Sequence, residues 1–279
     1  MAELKLAVRL DAIPIDTRRP GGLKKALIAA AALRVDAVEL CARQTVRPSE
    51  LSDTGVRQLR KMLDDLNLRV AAIRFQTRRG YDNPSDLERR VDATKQALSF
   101  AYRLGAPVVV NQIGRVQPMP QTDGDEETPQ ALSPEMQQLQ LVLDDLGRYG
   151  ARVGAVLAAE TGSESGPDLE SMLRLSDQAF IAAALNPGQL IINRFDVDEA
   201  IAALGNRIHL VCAVDGVLDF AAGRGLMVPL GQGTADFPNL LGRLEDLPYR
   251  GPFVVGRGDM PDESAMAEIA DGISYLRSL

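Results

Sequence analysis

Tryptophan is absent from the 279-residue chain, histidine occurs once, cysteine occurs twice, and aromatic residues fill only 4% of the positions. Cys41 and Cys212 cannot form a disulfide framework, and their wide separation excludes a CxxC pair. His209 is the only histidine, which excludes a HExxH zinc site and any other centre built from several histidines. Common zinc and disulfide architectures are therefore ruled out.

Signals for a membrane, a nucleotide or a serine nucleophile are also missing. No apolar run approaches the roughly 18 residues of a membrane span, and the opening residues do not resemble a secretory signal. The chain has neither GxGxxG nor GxxxxGK[ST], and GSESG places Glu164 where a nucleophile elbow requires serine. A net charge of −7 disfavours nonspecific binding to nucleic acid or anionic membranes. We expect a cytoplasmic protein that binds neither nucleic acid nor a membrane.

Short β-rich runs alternate with helical periodicity along the whole chain, which predicts one α/β domain, a (β/α)8 TIM barrel over residues 1–279. A doubly wound open sheet is the alternative. We expect Ser85 and Asp86 to cap the third helix and Gly105 to end it. The predicted strands are Leu4–Leu10, Asp36–Leu40, Leu68–Phe75, Ala106–Asn111, Ala151–Glu160, Ala179–Leu185, Arg207–Val214 and Gly251–Gly256. The predicted helices are Gly22–Leu33, Asp53–Leu66, Asp86–Leu104, Pro134–Tyr149, Asp168–Leu175, Asp196–Leu204, Phe237–Leu247 and Pro261–Leu279.

One segment, residues 115–134, is poor in apolar residues and contains four prolines and four acidic residues. It follows the fourth predicted strand, so in a barrel it belongs to the face that carries catalytic loops. We expect a flexible loop that acts as a lid or dimer contact, with a disordered surface insertion as the alternative.

Five stretches, in this order, resemble the sugar-phosphate isomerase/epimerase family, the xylose isomerase-like TIM barrels. They are AYRLGAPVVV (101–110), VLAAETG (156–162), LNPGQL (185–190), RIHLVCAVDG (207–216) and VPLGQGTADFPNLLGRLEDLPYRGPFVVGRGD (228–259). The resemblance implies activity as an isomerase or epimerase on sugars or sugar phosphates. It also implies one divalent cation, Mn²⁺ or Mg²⁺, at the carboxyl ends of the strands, with paired glutamates moving a proton.

Transferred to this sequence, the implied ligand set is largely lost. The glutamate that ends strand five is present as Glu160, whereas the strand-six aspartate and histidine correspond to Asn186 and Gln189. Cys212 occupies the histidine position of strand seven, and Gly256 that of the strand-eight glutamate. One carboxylate, one amide and one thiol are a poor set for a hard divalent ion. We therefore expect no metal ligands and no cofactor.

Arginines cluster in the loops after the first three strands, which predicts an electropositive half of the barrel mouth that attracts small anions. Alternatively, these arginines pair with the acidic segment Asp123–Glu127. Glu160 is the candidate catalytic residue, with a structural ion pair as the competing interpretation. The candidate substrate-binding residues are Arg43, Arg74, Arg78, Asn186, Gln189, Cys212, Asp215 and Arg257.

Three functions remain open. The first is a barrel that binds a small polar carbohydrate, neutral or anionic, with its metal-dependent chemistry lost. The second is an active isomerase or epimerase that uses a rearranged site of Glu160, Asp215 and Asp259. The third is a non-catalytic scaffold or subunit. The partner we expect is a carbohydrate-like small molecule, and assembly into a homo-oligomer stays open.

Overall fold

Eight parallel strands close into a barrel in a computed structural model that describes residues 4–118, 132–219, 224–258 and 263–279. Closure comes from the first and last strands, where Leu6, Ala7 and Val8 align with Phe253, Val254 and Val255. This confirms the predicted barrel over the open sheet. The barrel strands are β1 (Leu6–Arg9), β2 (Ala37–Cys41), β3 (Arg69–Arg74), β4 (Val108–Asn111), β5 (Val156–Glu160), β6 (Ile181–Leu185), β7 (Ile208–Ala213) and β10 (Phe253–Val255). Two further strands, β8 (Asp215–Asp219) and β9 (Arg224–Val228), lie between β7 and β10 in the sequence.

Strands β8 and β9 stand outside the barrel as an antiparallel hairpin that the sequence analysis missed, as it missed the short helix α6. The other helices match the predicted ones in order. They are α1 (Gly22–Ala32), α2 (Asp53–Asp65), α3 (Leu87–Leu104), α4 (Pro134–Val153), α5 (Gly166–Ser176), α6 (Pro187–Ile192), α7 (Val197–Leu204), α8 (Phe237–Asp246) and α9 (Ala265–Ser278).

Helix boundaries required two corrections. The predicted strand at 151–160 starts too early, because α4 continues through Val153 and ends at Gly154, whose φ of 83° suits glycine. Helix α3 is preceded by Asp86 with a φ of 52° and has no side-chain cap, so Ser85 does not cap it. Gly105, with a φ of 74°, ends α3 as predicted.

The core has two layers. Large aliphatic residues fill the space between the barrel and its helices, whereas the barrel interior is lined mostly by alanine and valine. Because strand side chains alternate between faces, the inward positions of β3 and β7 include Ala72 and Leu210 and then, two residues later, Arg74 and Cys212. Small interior residues leave room for the long side chain of Arg74 near the carboxyl ends of the strands.

Two sequence predictions fall partly outside the described residues. Of the predicted loop at 115–134, residues 119–131, including Asp123–Glu127, are not described, and neither is Asp259. Among the described residues, no helix is long and apolar enough to cross a membrane.

Candidate functional site

Arg74 lies at the centre of the barrel mouth and contacts side chains from three other strands. Its Nε donates to Oε2 of Glu39 at 2.7 Å, and its Nη1 donates to Oε2 of Glu160 at 2.8 Å. Nη2 donates to Sγ of Cys212 at 3.3 Å. The side chain of Arg74 is only 3% exposed. Burial opposes its charge, but Glu160 and Glu39 outweigh it and raise the pKa of Arg74 well above its ordinary value.

Glu160 has no hydrogen-bonding capacity left over. Its Oε2 accepts from Arg74 and, at 3.1 Å, from Nε2 of Gln76; its Oε1 accepts from Nδ2 of Asn186 at 2.9 Å and from the Cys212 thiol at 3.6 Å. A carboxylate offers about four lone-pair positions, and here each has a donor. Burial raises the pKa of Glu160, but the charge and hydrogen bond of Arg74 and the hydrogen bond of Asn186 lower it to about 2. Such a carboxylate is a weak base at neutral pH.

Cys212 is a buried thiol in this network. Burial, together with the negative charge of Glu160, raises the pKa of Cys212 well above its ordinary value. The thiol therefore stays protonated at neutral pH and contributes its hydrogen to Glu160 rather than acting as a nucleophile.

Asn186 joins the network to helix α6. Its Oδ1 accepts the backbone N–H of Gln189 at 3.0 Å, which caps the first turn of α6, and its Nδ2 points at Glu160. The oxygen that a metal ion would need is therefore used by the helix.

A cavity of about 230 Å³ opens above this network at the carboxyl ends of the strands. Two guanidinium groups in its wall are held by carboxylates: Arg9 by Asp11, at 2.9 Å, and Arg257 by Glu268, at 2.7 Å. Amide side chains supply much of the remaining polar wall. The lining residues are Arg9, Arg74, Gln76, Gln112, Glu160, Asn186, Gln189, Val214, Met227, Arg257 and Gly258.

The cavity brings together five of the predicted site residues, namely Arg74, Glu160, Asn186, Gln189 and Arg257, with Cys212 beneath them. Gln112 and Gln189 make no side-chain hydrogen bond to any described residue, so their amides are available to a ligand.

Asp215 does not join this cavity, although the sequence analysis placed it among the binding residues. Its carboxylate is fully buried and accepts four backbone N–H groups, from Gly216 (2.8 Å), Gly231 (3.1 Å), Gly233 (2.9 Å) and Ala235 (3.0 Å). A Cβ at Gly233 would lie 2.0 Å from Oδ1 of Asp215, so the amides approach closely because residue 233 has no side chain. Asp215 therefore organises the loop that precedes α8.

Arg43 and Arg78 are also separate from the cavity. Both line a larger groove of about 710 Å³ beside the loops that follow β2 and β3. Among the described residues, this groove and the central cavity share no lining residue. The arginines that the sequence analysis grouped at the mouth are thus divided: Arg74 lines the small central cavity, and Arg43 and Arg78 line the outer groove.

Sequence reasoning missed four polar residues of the site: Glu39, Arg9, Gln76 and Gln112. Glu39 carried a detectable signal, because a glutamate at an inward position of an otherwise apolar strand, AVELC, needs a buried partner. Arg9 carried the same signal in LAVR. The two glutamines lie just after β3 and β4 in loops, where alternation no longer predicts direction.

Comparison with known proteins agrees with this architecture. A family model described as xylose isomerase-like TIM barrel matches residues 27–279. The chain belongs to this family. No curated protein sequence matches it significantly.

Solved structures of the family share the fold at low sequence identity. A xylose isomerase domain protein from Planctomyces limnophilus is 20% identical, with a TM-score of 0.82 over 99% of this chain and 96% of that one. A xylose isomerase-like TIM barrel protein from Mycobacterium smegmatis in complex with magnesium is 17% identical (TM-score 0.74, 99% and 96%). D-allulose 3-epimerase from Methylomonas sp. in complex with D-allulose is 16% identical (TM-score 0.72, 99% and 96%).

The residues of this chain do not fit the divalent cation that the family resemblance implies. Glu160 is the one carboxylate left of the implied ligand set. Its Oε2 lies 2.8 Å from Nη1 of Arg74, so the guanidinium group already occupies the oxygen that a metal ion would have to bind. Gly256, at the position of the strand-eight glutamate, supplies no side-chain ligand. Its φ of 127° favours glycine, and a Cβ there would lie 2.9 Å from the Cβ of Ala12, so the backbone at this position does not suit a glutamate. Within the described ranges, no three histidine, cysteine, aspartate or glutamate residues are grouped as a metal site requires.

Proposed function

We propose that the central cavity binds a small polar carbohydrate, neutral or anionic, without a divalent cation. The observation that carries this proposal is a contrast within the site: the charged groups of Arg74 and Glu160 satisfy each other, whereas the side-chain amides of Gln112 and Gln189 have no partner among the described residues. Amides both donate and accept, as sugar hydroxyls do, so they suit a ligand with many hydroxyl groups.

Arg9 extends this proposal to anionic sugars. Asp11 accepts from its Nε and Nη2, and Nη1 has no acceptor among the described residues, so it can donate to a phosphate or carboxylate of the ligand. The three guanidinium nitrogens of Arg257 already donate to Glu268 and to the carbonyl oxygen of Met227. A cavity of about 230 Å³ favours a monosaccharide-sized ligand over an oligosaccharide. Family relatives with sugar epimerase activity and a D-allulose complex support the carbohydrate class.

The geometry favours binding over the two alternative functions. A rearranged isomerase site would use Asp215, whose two oxygens are engaged by backbone amides, and Asp259, which lies outside the described residues. A scaffold needs no open polar cavity, and a cavity remains here although Arg74 fills the centre. Metal-dependent isomerisation is therefore not part of the proposal.

Calorimetric titration with free and phosphorylated monosaccharides tests the proposal. We expect at least one sugar to bind equally well in excess EDTA and in MnCl₂. Gln189→Ala, which removes an unpartnered amide, should weaken binding about fivefold. Gln58→Ala, on the exposed face of α2, is the matched control and should leave affinity unchanged. Binding that disappears in EDTA and returns with Mn²⁺ would refute the proposal, as would failure of every sugar to bind.

A further inference from the structure

A second concave surface lies outside the central cavity, between the loops after β2 and β3 and the first turns of α3. Its volume is about 710 Å³, and it is lined by six arginines and one acidic residue, Asp86. We call it the arginine groove; its arginines are Arg43, Arg47, Arg78, Arg79, Arg89 and Arg90. We propose that the arginine groove binds a small ligand that carries several adjacent phosphate groups, at a site distinct from the sugar cavity.

Most of these guanidinium groups are available to a ligand. Arg78, Arg79 and Arg89 are exposed and make no side-chain hydrogen bond or ion pair with any described residue. The guanidinium of Arg43 lies 4.9 Å from the ring centre of Phe75, which orients it while leaving its N–H groups free of described acceptors. Arg47 is partly satisfied, by Glu50 at 2.7 Å.

Arg90 fixes the shape of the groove. Its guanidinium donates to the backbone carbonyls of Gly80, Asn83 and Ser85, which ties the loop after Arg79 to the first turn of α3. Its Nε is buried and has no hydrogen-bond partner in the part of the chain that the structure describes. The groove is therefore held by contacts within the fold, and the exposed arginines can change without loss of those contacts.

The charge of the groove indicates the ligand class. Several guanidinium groups around one concave surface repel one another unless an anion neutralises them, and the chain as a whole carries a net charge of −7. Phosphate groups bring more negative charge and more acceptor oxygens per unit volume than carboxylates, and guanidinium groups bind them bidentately. An oligophosphate matches the five arginines other than Arg90 better than a single phosphate does.

Two other polyanions are weaker candidates. A long nucleic acid would extend beyond the groove over a chain with excess negative charge, which repels it. A glutamate-rich peptide brings only one charge per residue. Asp86 opposes any anion, and its position in the lining makes it a useful probe of the proposal.

Calorimetric titration at low salt with inorganic tripolyphosphate, orthophosphate, a short single-stranded DNA and a hexaglutamate peptide tests the proposal. We expect tripolyphosphate to bind at least about tenfold more tightly than each of the other three. The double variant Arg78→Gln/Arg89→Gln should weaken tripolyphosphate binding about tenfold or more. Arg60→Gln, an exposed arginine of α2 outside the groove, is the matched control and should change it less than about twofold.

Asp86→Asn supplies an independent readout because it removes the opposing charge and because asparagine tolerates the φ of 52°. Tripolyphosphate affinity should rise about threefold in this variant. The proposal is overturned if tripolyphosphate binds no more tightly than orthophosphate, if the DNA or the peptide binds more tightly, or if Arg60→Gln weakens binding as much as the double variant. Sugar binding in the central cavity should not respond to the groove variants, which separates this proposal from the preceding one.

Discussion

Arg74 and Glu160 are buried charged groups in a barrel interior that consists mostly of alanine and valine. Buried charges are stable only when each is paired and hydrogen-bonded, and here Arg74 meets both Glu39 and Glu160 within 2.8 Å. The same pairing that makes these residues compatible with the core prevents Glu160 from serving as a metal ligand. At the residue scale, the side chain of Arg74 therefore both compensates the buried carboxylates and occupies the hydrogen-bonding capacity of Glu160.

Replacing Arg74 by methionine should destabilise the fold strongly. Arg74→Met keeps an apolar chain of similar length but leaves Glu39 and Glu160 buried without their cation, which costs about 3–5 kcal/mol of unfolding free energy. Urea unfolding at pH 7 measures this cost. The triple variant Glu39→Gln/Arg74→Met/Glu160→Gln removes all three charges and should regain most of the loss. A cost below about 1 kcal/mol for Arg74→Met would show that the network contributes little.

The two cysteines should be inert in the native protein. Both thiols are buried, and burial raises the pKa of Cys41 and of Cys212, so the thiolate that reacts is scarce and inaccessible. We expect a chromogenic disulfide reagent at pH 7.5 to label them about a hundredfold more slowly than in the urea-unfolded chain. Rapid labelling of one thiol in native buffer would contradict the buried position of that thiol.

At the scale of elements, Asp215 links the start of the β8–β9 hairpin to the loop that precedes α8. Its four backbone partners come from residues 216, 231, 233 and 235, so one carboxylate holds two segments that are far apart in sequence. Because Asp215 is fully buried, no water replaces a lost acceptor.

Asparagine at position 215 should loosen this loop without opening the barrel. The side-chain amide of Asp215→Asn turns an N–H group toward backbone N–H groups that need an acceptor, which costs about 2–4 kcal/mol. Amide hydrogen exchange should accelerate at Gly231, Gly233 and Ala235 while the exchange of β4 and β5 stays slow. Asp92→Asn, an exposed aspartate of α3, is the control. Unchanged exchange at the three loop amides would contradict the role assigned to Asp215.

Local sequence patterns predicted most of the barrel because alternation and helical period act over a few residues. Residues 151–153 were assigned to a strand although they belong to α4, because the sequence Ala-Arg-Val suits both the end of a helix and the start of a strand. Only the turn at Gly154 marks where the helix ends. The hairpin of β8 and β9 was missed because its first strand begins two residues after β7 ends.

The candidate site was less predictable than the fold. Glu160, Asn186 and Cys212 were chosen from the family resemblance and Arg74 from the positive charges near the strand ends, and the four side chains lie together because parallel strands end at the same edge of the barrel. The role of Asp215 depends on backbone amides up to 20 residues away, which no side-chain pattern encodes. Arg43 and Arg78 lie in the loops after β2 and β3, at the same edge of the barrel, but they line the outer groove and not the central cavity. The path of such loops is set by long-range contacts, which the local sequence does not predict.

At the scale of the whole molecule, the pH dependence of stability reflects two buried glutamates whose pKa values are shifted in opposite directions from the ordinary value. Arg74 lowers the pKa of Glu160 to about 2 against the effect of burial, so its stabilisation is present above about pH 4.5 and is lost as the pH falls through about 2. Burial and the nearby Asp168 raise the pKa of Glu164 to about 8. Its contribution is fully present below about pH 4.5 and is lost as the pH rises through about 8. Together these residues favour the folded state most near pH 4.5.

Glu164→Gln should therefore flatten the alkaline side of the stability profile. Between pH 5 and pH 8 the unfolded chain releases a proton that folded Glu164 retains, so wild-type stability relative to Glu164→Gln should fall by about 3 kcal/mol. Denaturant unfolding of both proteins at intervals of half a pH unit measures this difference. Glu245→Gln, an exposed glutamate of α8, should follow the wild-type profile at a constant offset. If the Glu164→Gln offset is equally constant, Glu164 is ionised in the fold at neutral pH, and its Oε2, buried without a partner among the described residues, must then have found a donor.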